Sequence, residues 1–126
     1  MEKKEREIWV GKSRIYLGED NIIYITAAGS PDEKMAIANK EATVKLASMV
    51  EGKVNVLLDI TAAGKQSTET RKVWKEYIES EKFGKFALVG LHPVAQVLAS
   101  FVMGISKKED MRFFKTKQEA LVWLKE

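Results

Sequence analysis

The chain has 126 residues, 45% of them hydrophobic and 31% charged, with a formal net charge of +3. A chain of this length hides roughly two-thirds of the surface that its unfolded form exposes, so one domain over residues 1–126 is expected without crosslinks or metal. With no cysteine and one histidine, disulfides, thiolate nucleophiles, cysteine-ligated zinc or iron–sulfur clusters, and sites needing two imidazoles from one chain are all excluded.

Residues 1–7, Met1-Glu2-Lys3-Lys4-Glu5-Arg6-Glu7, carry both charge signs and no apolar h-region follows them. They do not read as a secretory signal, and the cytoplasm is the expected location. Two runs rich in isoleucine, tyrosine and valine come next, Glu7–Leu17 and Asn21–Ala28, separated by Gly18-Glu19-Asp20. Both read as strands, and the short gap reads as a hairpin. Ser30-Pro31-Asp32-Glu33 carries the signature of a capped helix, with Ser30 as the cap, Pro31 at the first helical position and Glu33 closing a capping box. Met35, Ala38, Ala42, Leu46 and Met49 follow at helical spacing up to Gly52.

The compact apolar run Lys53–Ile60 reads as a buried central strand. A second helix is expected from Ser67 or Thr68, with Val73, Trp74, Tyr77 and Ile78 on its inner face. Phe86–Leu91 reads as another buried strand, Pro93–Ile105 as a helix, and Met111–Phe114 as a short strand. Thr116-Lys117-Gln118-Glu119 opens a final helix through a second capping box, burying Ala120, Trp123 and Leu124. The expected order is β-β-α-β-α-β-α-β-α, an α/β fold on a mixed, mostly parallel sheet with right-handed crossovers.

In such sheets, ligands gather beyond the carboxyl ends of parallel strands, beside helix N-termini. If the strands ending near Asp59 and Leu91 are neighbours, then Asp59, Thr61, Ser67, Thr68 and His92 share one rim, with Lys65 and Arg71 adding charge. Each residue also has a structural role: Ser67 or Thr68 as a helix cap, Asp59 as the acceptor of a turn amide, His92 as a loop residue before Pro93. Ala63-Gly64-Lys65-Gln66-Ser67-Thr68 is not a phosphate-binding loop. Asp59 stands where its first glycine is needed, and Gln66 where a magnesium-ligating Ser or Thr is needed. Hydrolysis by Ser67 or Thr68 with His92 and Asp59 is a weaker alternative, because no nucleophile elbow is present. No cofactor and no metal site are expected.

No Asp, Glu, Lys or Arg occurs from Phe86 to Ser106. Gly90, His92, Pro93 and Gln96 interrupt that stretch, so a strand and a helix fit better than a membrane span. The Pro93–Ile105 helix is apolar nearly all round, and something must cover it. Neighbouring helices, a homodimer interface, an apolar ligand or a peripheral membrane contact would each serve, and Lys82, Lys85, Lys107 and Lys108 flank the segment. Nucleic-acid binding is not expected, since lysines alternate with glutamates and Trp9, Trp74 and Trp123 fall on faces that read as buried.

Val56-Leu57-Leu58-Asp59-Ile60-Thr61, with Met111-Arg112-Phe113-Phe114 and Glu119-Ala120-Leu121-Val122-Trp123-Leu124, resembles the SpoIIAA-like proteins of the STAS type. The similarity of element order spans nearly the whole chain. In anti-sigma-factor antagonists of this group, an Asp-apolar-Ser/Thr strand end precedes a phosphorylatable Ser or Thr. Asp59-Ile60-Thr61 matches the first part, and Ser67 or Thr68 falls at the second. The group's Ser-Gly-Leu continuation is replaced by Thr68-Glu69-Thr70, and Glu69 would repel an added phosphate. The SpoIIAA-like branch is similar in fold to lipid-binding CRAL-TRIO domains, which implies a lipophilic ligand. The expected function is therefore non-enzymatic binding of a small lipophilic or anionic ligand by Asp59, Thr61, Thr68, His92 and Phe101. The alternative is a regulatory module whose protein partner reads Ser67 or Thr68.

Overall fold

The computed structural model describes residues 6–29, 32–63, 68–90 and 110–126, without the side chains of Ala63, Thr68 and Tyr77. Six strands form one sheet: β1 (Glu7–Val10), β2 (Ser13–Leu17), β3 (Ile23–Gly29), β4 (Val54–Ala63), β5 (Phe83–Val89) and β6 (Met111–Phe114). Their spatial order is their sequence order, β1 to β6. β1, β2 and β3 pair antiparallel, and β3 to β6 pair parallel. The described helices are α1 (Glu33–Ala47), α2 (Thr68–Ile78) and α3 (Lys117–Leu124). None of them is long and apolar enough to cross a membrane. The expected fold class is observed, and the Pro93–Ile105 helix lies outside the described residues.

One expected strand proves to be two. Glu7–Leu17 folds back at Gly11-Lys12, where Gly11 has φ of +59°. Glycine at the first central position of a two-residue loop is what a tight hairpin needs. Ile8-Trp9-Val10 before the turn and Ile15-Tyr16-Leu17 after it read as one apolar run, although the core-facing positions change from even (Ile8, Val10) to odd (Ile15, Leu17) across it. The β2–β3 hairpin closes through Gly18 N to Ile22 O at 2.9 Å and Asn21 N to Gly18 O at 3.0 Å. Asn21 there takes φ of +61°, a conformation asparagine tolerates better than most residues.

Helix α1 starts two residues later than its sequence signature suggests. Asp32 is the cap, its carboxylate accepting the Met35 amide at 2.8 Å; Ser30 and Pro31 lie outside the described residues. A carboxylate satisfies this orphan amide and also complements the positive end of the helix. The inner face of α1 is rotated accordingly, to Ala36, Asn39, Ala42, Thr43, Leu46 and Ala47. Met35, Ala38 and Met49 are only half-buried.

The sheet is covered on both faces. On one, Ile15, Ile25, Val56, Leu58 and Phe86 meet Leu46 of α1 and Trp74 and Ile78 of α2. On the other, Ile22, Leu57, Ala87 and Val89 meet Ala120 and Leu124 of α3. Strand β4 lies between two strands and contributes to both cores, which accounts for its nearly continuous apolar sequence. Trp9 departs from expectation: it is 60% exposed. β1 is an edge strand whose Ile8 and Val10 turn toward the α1 core, leaving Trp9 on the opposite face, away from α3. Trp74 is buried as expected, and Trp123 is half-buried.

The C-terminal end of α3 is fastened to the amino ends of β4 and β5. Asn55 donates to Leu124 O at 2.8 Å and accepts the Lys85 amide at 2.8 Å. The Lys85 ammonium donates to Trp123 O at 2.8 Å and lies 5.1 Å from the Trp123 ring centre. A cation there satisfies terminal carbonyls and complements the helix dipole. Gly84 makes the approach possible, since a Cβ at that position would stand 2.5 Å from Asn55 Oδ1.

Asn55→Ala is expected to lower unfolding free energy by about 1–3 kcal/mol and to speed amide exchange in α3; urea denaturation and hydrogen exchange would read both, and unchanged values would contradict the clamp. Asn39 is 1% exposed, and its Oδ1 finds no hydrogen-bond partner among the described residues. Asn39→Leu is therefore expected to stabilise the fold by about 1 kcal/mol in the same assay, whereas a loss would show that the amide is satisfied in solution.

Candidate functional site

Strand alternation decides which β4 side chains are available for chemistry. Val54, Val56, Leu58 and Ile60 point into the α1–α2 core, so Asn55, Leu57, Asp59 and Thr61 point to the α3 side. Asn55 and Leu57 are used in attaching α3. Asp59 and Thr61, at the carboxyl end, rise past the core to the rim.

There they form one side of a cleft of about 290 Å³, together with Val89 from β5. The opposite side is the entry to α3: Lys115, Thr116, Lys117 and Gln118. Asp59 and Val89 are paired across β4 and β5, which establishes that the two strand ends are neighbours. Asp59 Oδ1 accepts the Thr61 amide at 2.9 Å, the turn-holding role expected from sequence. Its Oδ2 lies 3.8 Å from Lys117 Nζ, with side-chain exposures of 18% and 55%. A pair this open adds at most about 1 kcal/mol, so the ammonium can turn to another anion at little cost.

Thr116 caps α3 as its sequence signature predicts. Its Oγ1 accepts the Glu119 amide at 3.2 Å, and the hydroxyl donates to Glu119 Oε1 at 3.0 Å. No helical carbonyl can reach the amides of Lys117 and Gln118 in the first turn, and both residues line the cleft. Elsewhere on this face, Tyr24 donates to Asp20 Oδ2 at 2.7 Å. Burial, reinforced by the Asp20 carboxylate, holds the Tyr24 phenol above its ordinary pKa, so it remains a proton donor.

Of the residues expected at the rim, Asp59 and Thr61 are brought together. Thr68 is the first residue of α2. Ser67, Lys65, His92 and Phe101 lie outside the described residues. The sequence points to none of Lys115, Lys117 and Gln118 as rim residues: Lys117 and Gln118 read only as part of a capping box, and Lys115 carries no signal of its own. The signal that finds them is topological: β6 ends at Phe114 beside β5, so the strand-end rule brings the start of α3 to the same rim. Among the described residues no group of three His, Asp or Glu side chains is placed to hold a metal.

The sequence matches the family model described as "Domain of unknown function (DUF7793)" over residues 16–126. The search of curated proteins finds no match. Among solved structures, the chain is similar to an uncharacterized protein of the DUF3478 family with a SpoIIAA-like fold, from Shewanella loihica PV-4. That similarity covers 98% of both chains with a TM-score of 0.64 and 19% identity. It shows the fold, a six-stranded mixed sheet of SpoIIAA-like form with helices on both faces. The chain belongs to the DUF7793 family and has a SpoIIAA-like fold.

Proposed function

We propose that this chain is a non-enzymatic binding domain that holds a small anion in the cleft between the β4–β5 strand ends and α3. The observation that carries this reading is the convergence of Lys115, Lys117 and the first turn of α3 on the same cavity as Asp59 and Thr61. Two ammonium groups and oriented amides attract a phosphate or carboxylate. Asp59 Oδ2 accepts from a ligand hydroxyl, and Val89 supplies an apolar wall. A volume of about 290 Å³ suits a small metabolite.

Calorimetric titration with inorganic pyrophosphate and with citrate tests the reading. Binding tighter than about 1 mM is expected, weakening as ionic strength rises. The Lys115→Glu, Lys117→Glu double variant, checked for folding by circular dichroism, is expected to lose at least about tenfold, near 1.4 kcal/mol. Absence of binding by the wild-type chain to either compound would contradict it.

A second reading, a STAS-type regulatory module, draws on the SpoIIAA-like fold and on α2 beginning at Thr68 after β4. A phosphate on Ser67 or Thr68 would meet the positive end of α2, with Glu69 opposing it. Mass spectrometry of the protein isolated from growing and starved host cells is expected to find phosphate on one of these two residues. An unmodified peptide under both conditions would contradict this reading.

A further inference from the structure

Strand β1 ends the sheet, and among the described residues no strand lies beyond it. Its backbone groups divide by parity. Arg6 O accepts the Leu17 amide at 2.7 Å, so Arg6, Ile8 and Val10 are the residues whose N–H and C=O turn toward β2. Those of Glu7 and Trp9 turn outward, away from the sheet. Proteins commonly blunt such an edge with a proline, a bulge or an inward-pointing charge. β1 has none of these. Its pairing with β2 runs without a shift from Glu7 to Val10. Its one charged side chain, Glu7, is exposed and ion-paired with Arg14. Beside that open edge the Trp9 side chain stands 60% exposed.

The residues along this edge are complementary to themselves. Two antiparallel copies keep each face of the sheet continuous only when odd-numbered residues meet odd and even meet even. With Trp9 opposite Trp9, Ile8 of each copy meets Val10 of the other on the α1 side, where both already pack against the core. On the opposite face the two indoles meet, each beside its own Arg14. Glu7 then lies opposite Gly11 of the other copy and next to its exposed Lys12, so the ends of the contact carry opposite charges. A register centred on Ile8 sets Glu7 against Trp9 and Arg6 against Val10, charge against apolar surface at both flanking pairs. One centred on Val10 sets Ile8 against Lys12. Only the register about Trp9 matches like with like.

We propose that β1 is the interface of a symmetric homodimer, two copies pairing antiparallel about Trp9 so that one sheet runs through both. The contact is isologous, and a two-fold axis at Trp9 closes it. The outward N–H and C=O groups of Trp9 in the two copies bond to each other, and an aromatic cross-strand pair strengthens the ladder. So short a strand buries less than an interface of standard size, which sets the dissociation constant in the micromolar range. The surface lies at the far edge of the sheet from the cleft, so this dimer and the anion-binding reading stand independently.

Sedimentation velocity from about 1 to 500 μM protein spans the dissociation constants of interfaces this small. The mass is expected to rise to twice the 14.2 kDa chain and no further. Trp9→Pro deletes an N–H that points away from β2, and an edge strand tolerates proline there. This variant, checked for folding by circular dichroism, is expected to weaken the dimer at least about tenfold. Lys12→Glu, which sets two carboxylates side by side, is expected to weaken it as well, most strongly at low salt. Hydrogen exchange of the wild-type chain reads the same pairing without a variant. The Glu7 and Trp9 amides are expected to slow as protein concentration rises, with Ile8 and Val10 protected throughout. A monomer over the whole range, or a dimer that folded Trp9→Pro leaves intact, would overturn the proposal. So would a mass that keeps rising beyond two chains, or Glu7 and Trp9 amides indifferent to concentration.

Discussion

Strand β4 is the constraint on which the other features depend. It lies between β3 and β5 and is packed from both faces, so its register cannot slip by one residue without exchanging the two faces. Val54, Val56, Leu58 and Ile60 complete the α1–α2 core. Its odd-numbered residues, read from the amino end upward, attach α3 through Asn55, bury Leu57 beneath it, and open into the cleft at Asp59 and Thr61. Fold and candidate site are thus set by one alternation.

Helix α3 divides its work between its two ends. The C-terminal end is tied to β4 and β5 by Asn55 and Lys85, and the middle buries Ala120 and Leu124. The N-terminal end carries a self-contained cap, Thr116 with Glu119, and reaches the sheet through the open pairing of Lys117 with Asp59. A helix of eight residues has little stability of its own. Anchoring it at one end holds the other at a fixed height above the strand ends, which is the preorganisation that a binding cleft requires.

Much of this was legible in the residues. The buried run at Val54–Ile60, the cap at Thr116 and the strand–helix alternation carry local signals strong enough to read alone. Asp59 and Thr61 were legible as rim residues because parallel strands end at one side of a sheet. The hairpin at Gly11-Lys12 was not, because the apolar residues of both arms merge into one run and one glycine is a weak mark. The α1 cap was not fixed by its local sequence, because Ser30 and Asp32 both suit the position and the Asp32 carboxylate takes it. Trp9 was misplaced because an aromatic residue in a strand reads as buried unless the strand is known to be an edge. Lys117 is explained fully at the local level by a capping signature, and Lys115 is one exposed lysine among many. Their place beside Asp59 appears only once β6 is paired with β5.

The most direct test of this account is the amide spectrum of the isotopically labelled chain during titration with pyrophosphate. The account predicts shifts centred on Thr61, Val89, Lys117 and Gln118, with the α1 and α2 amides packed on the other face unmoved. Shifts centred on α1 or α2, with those four amides silent, would contradict it.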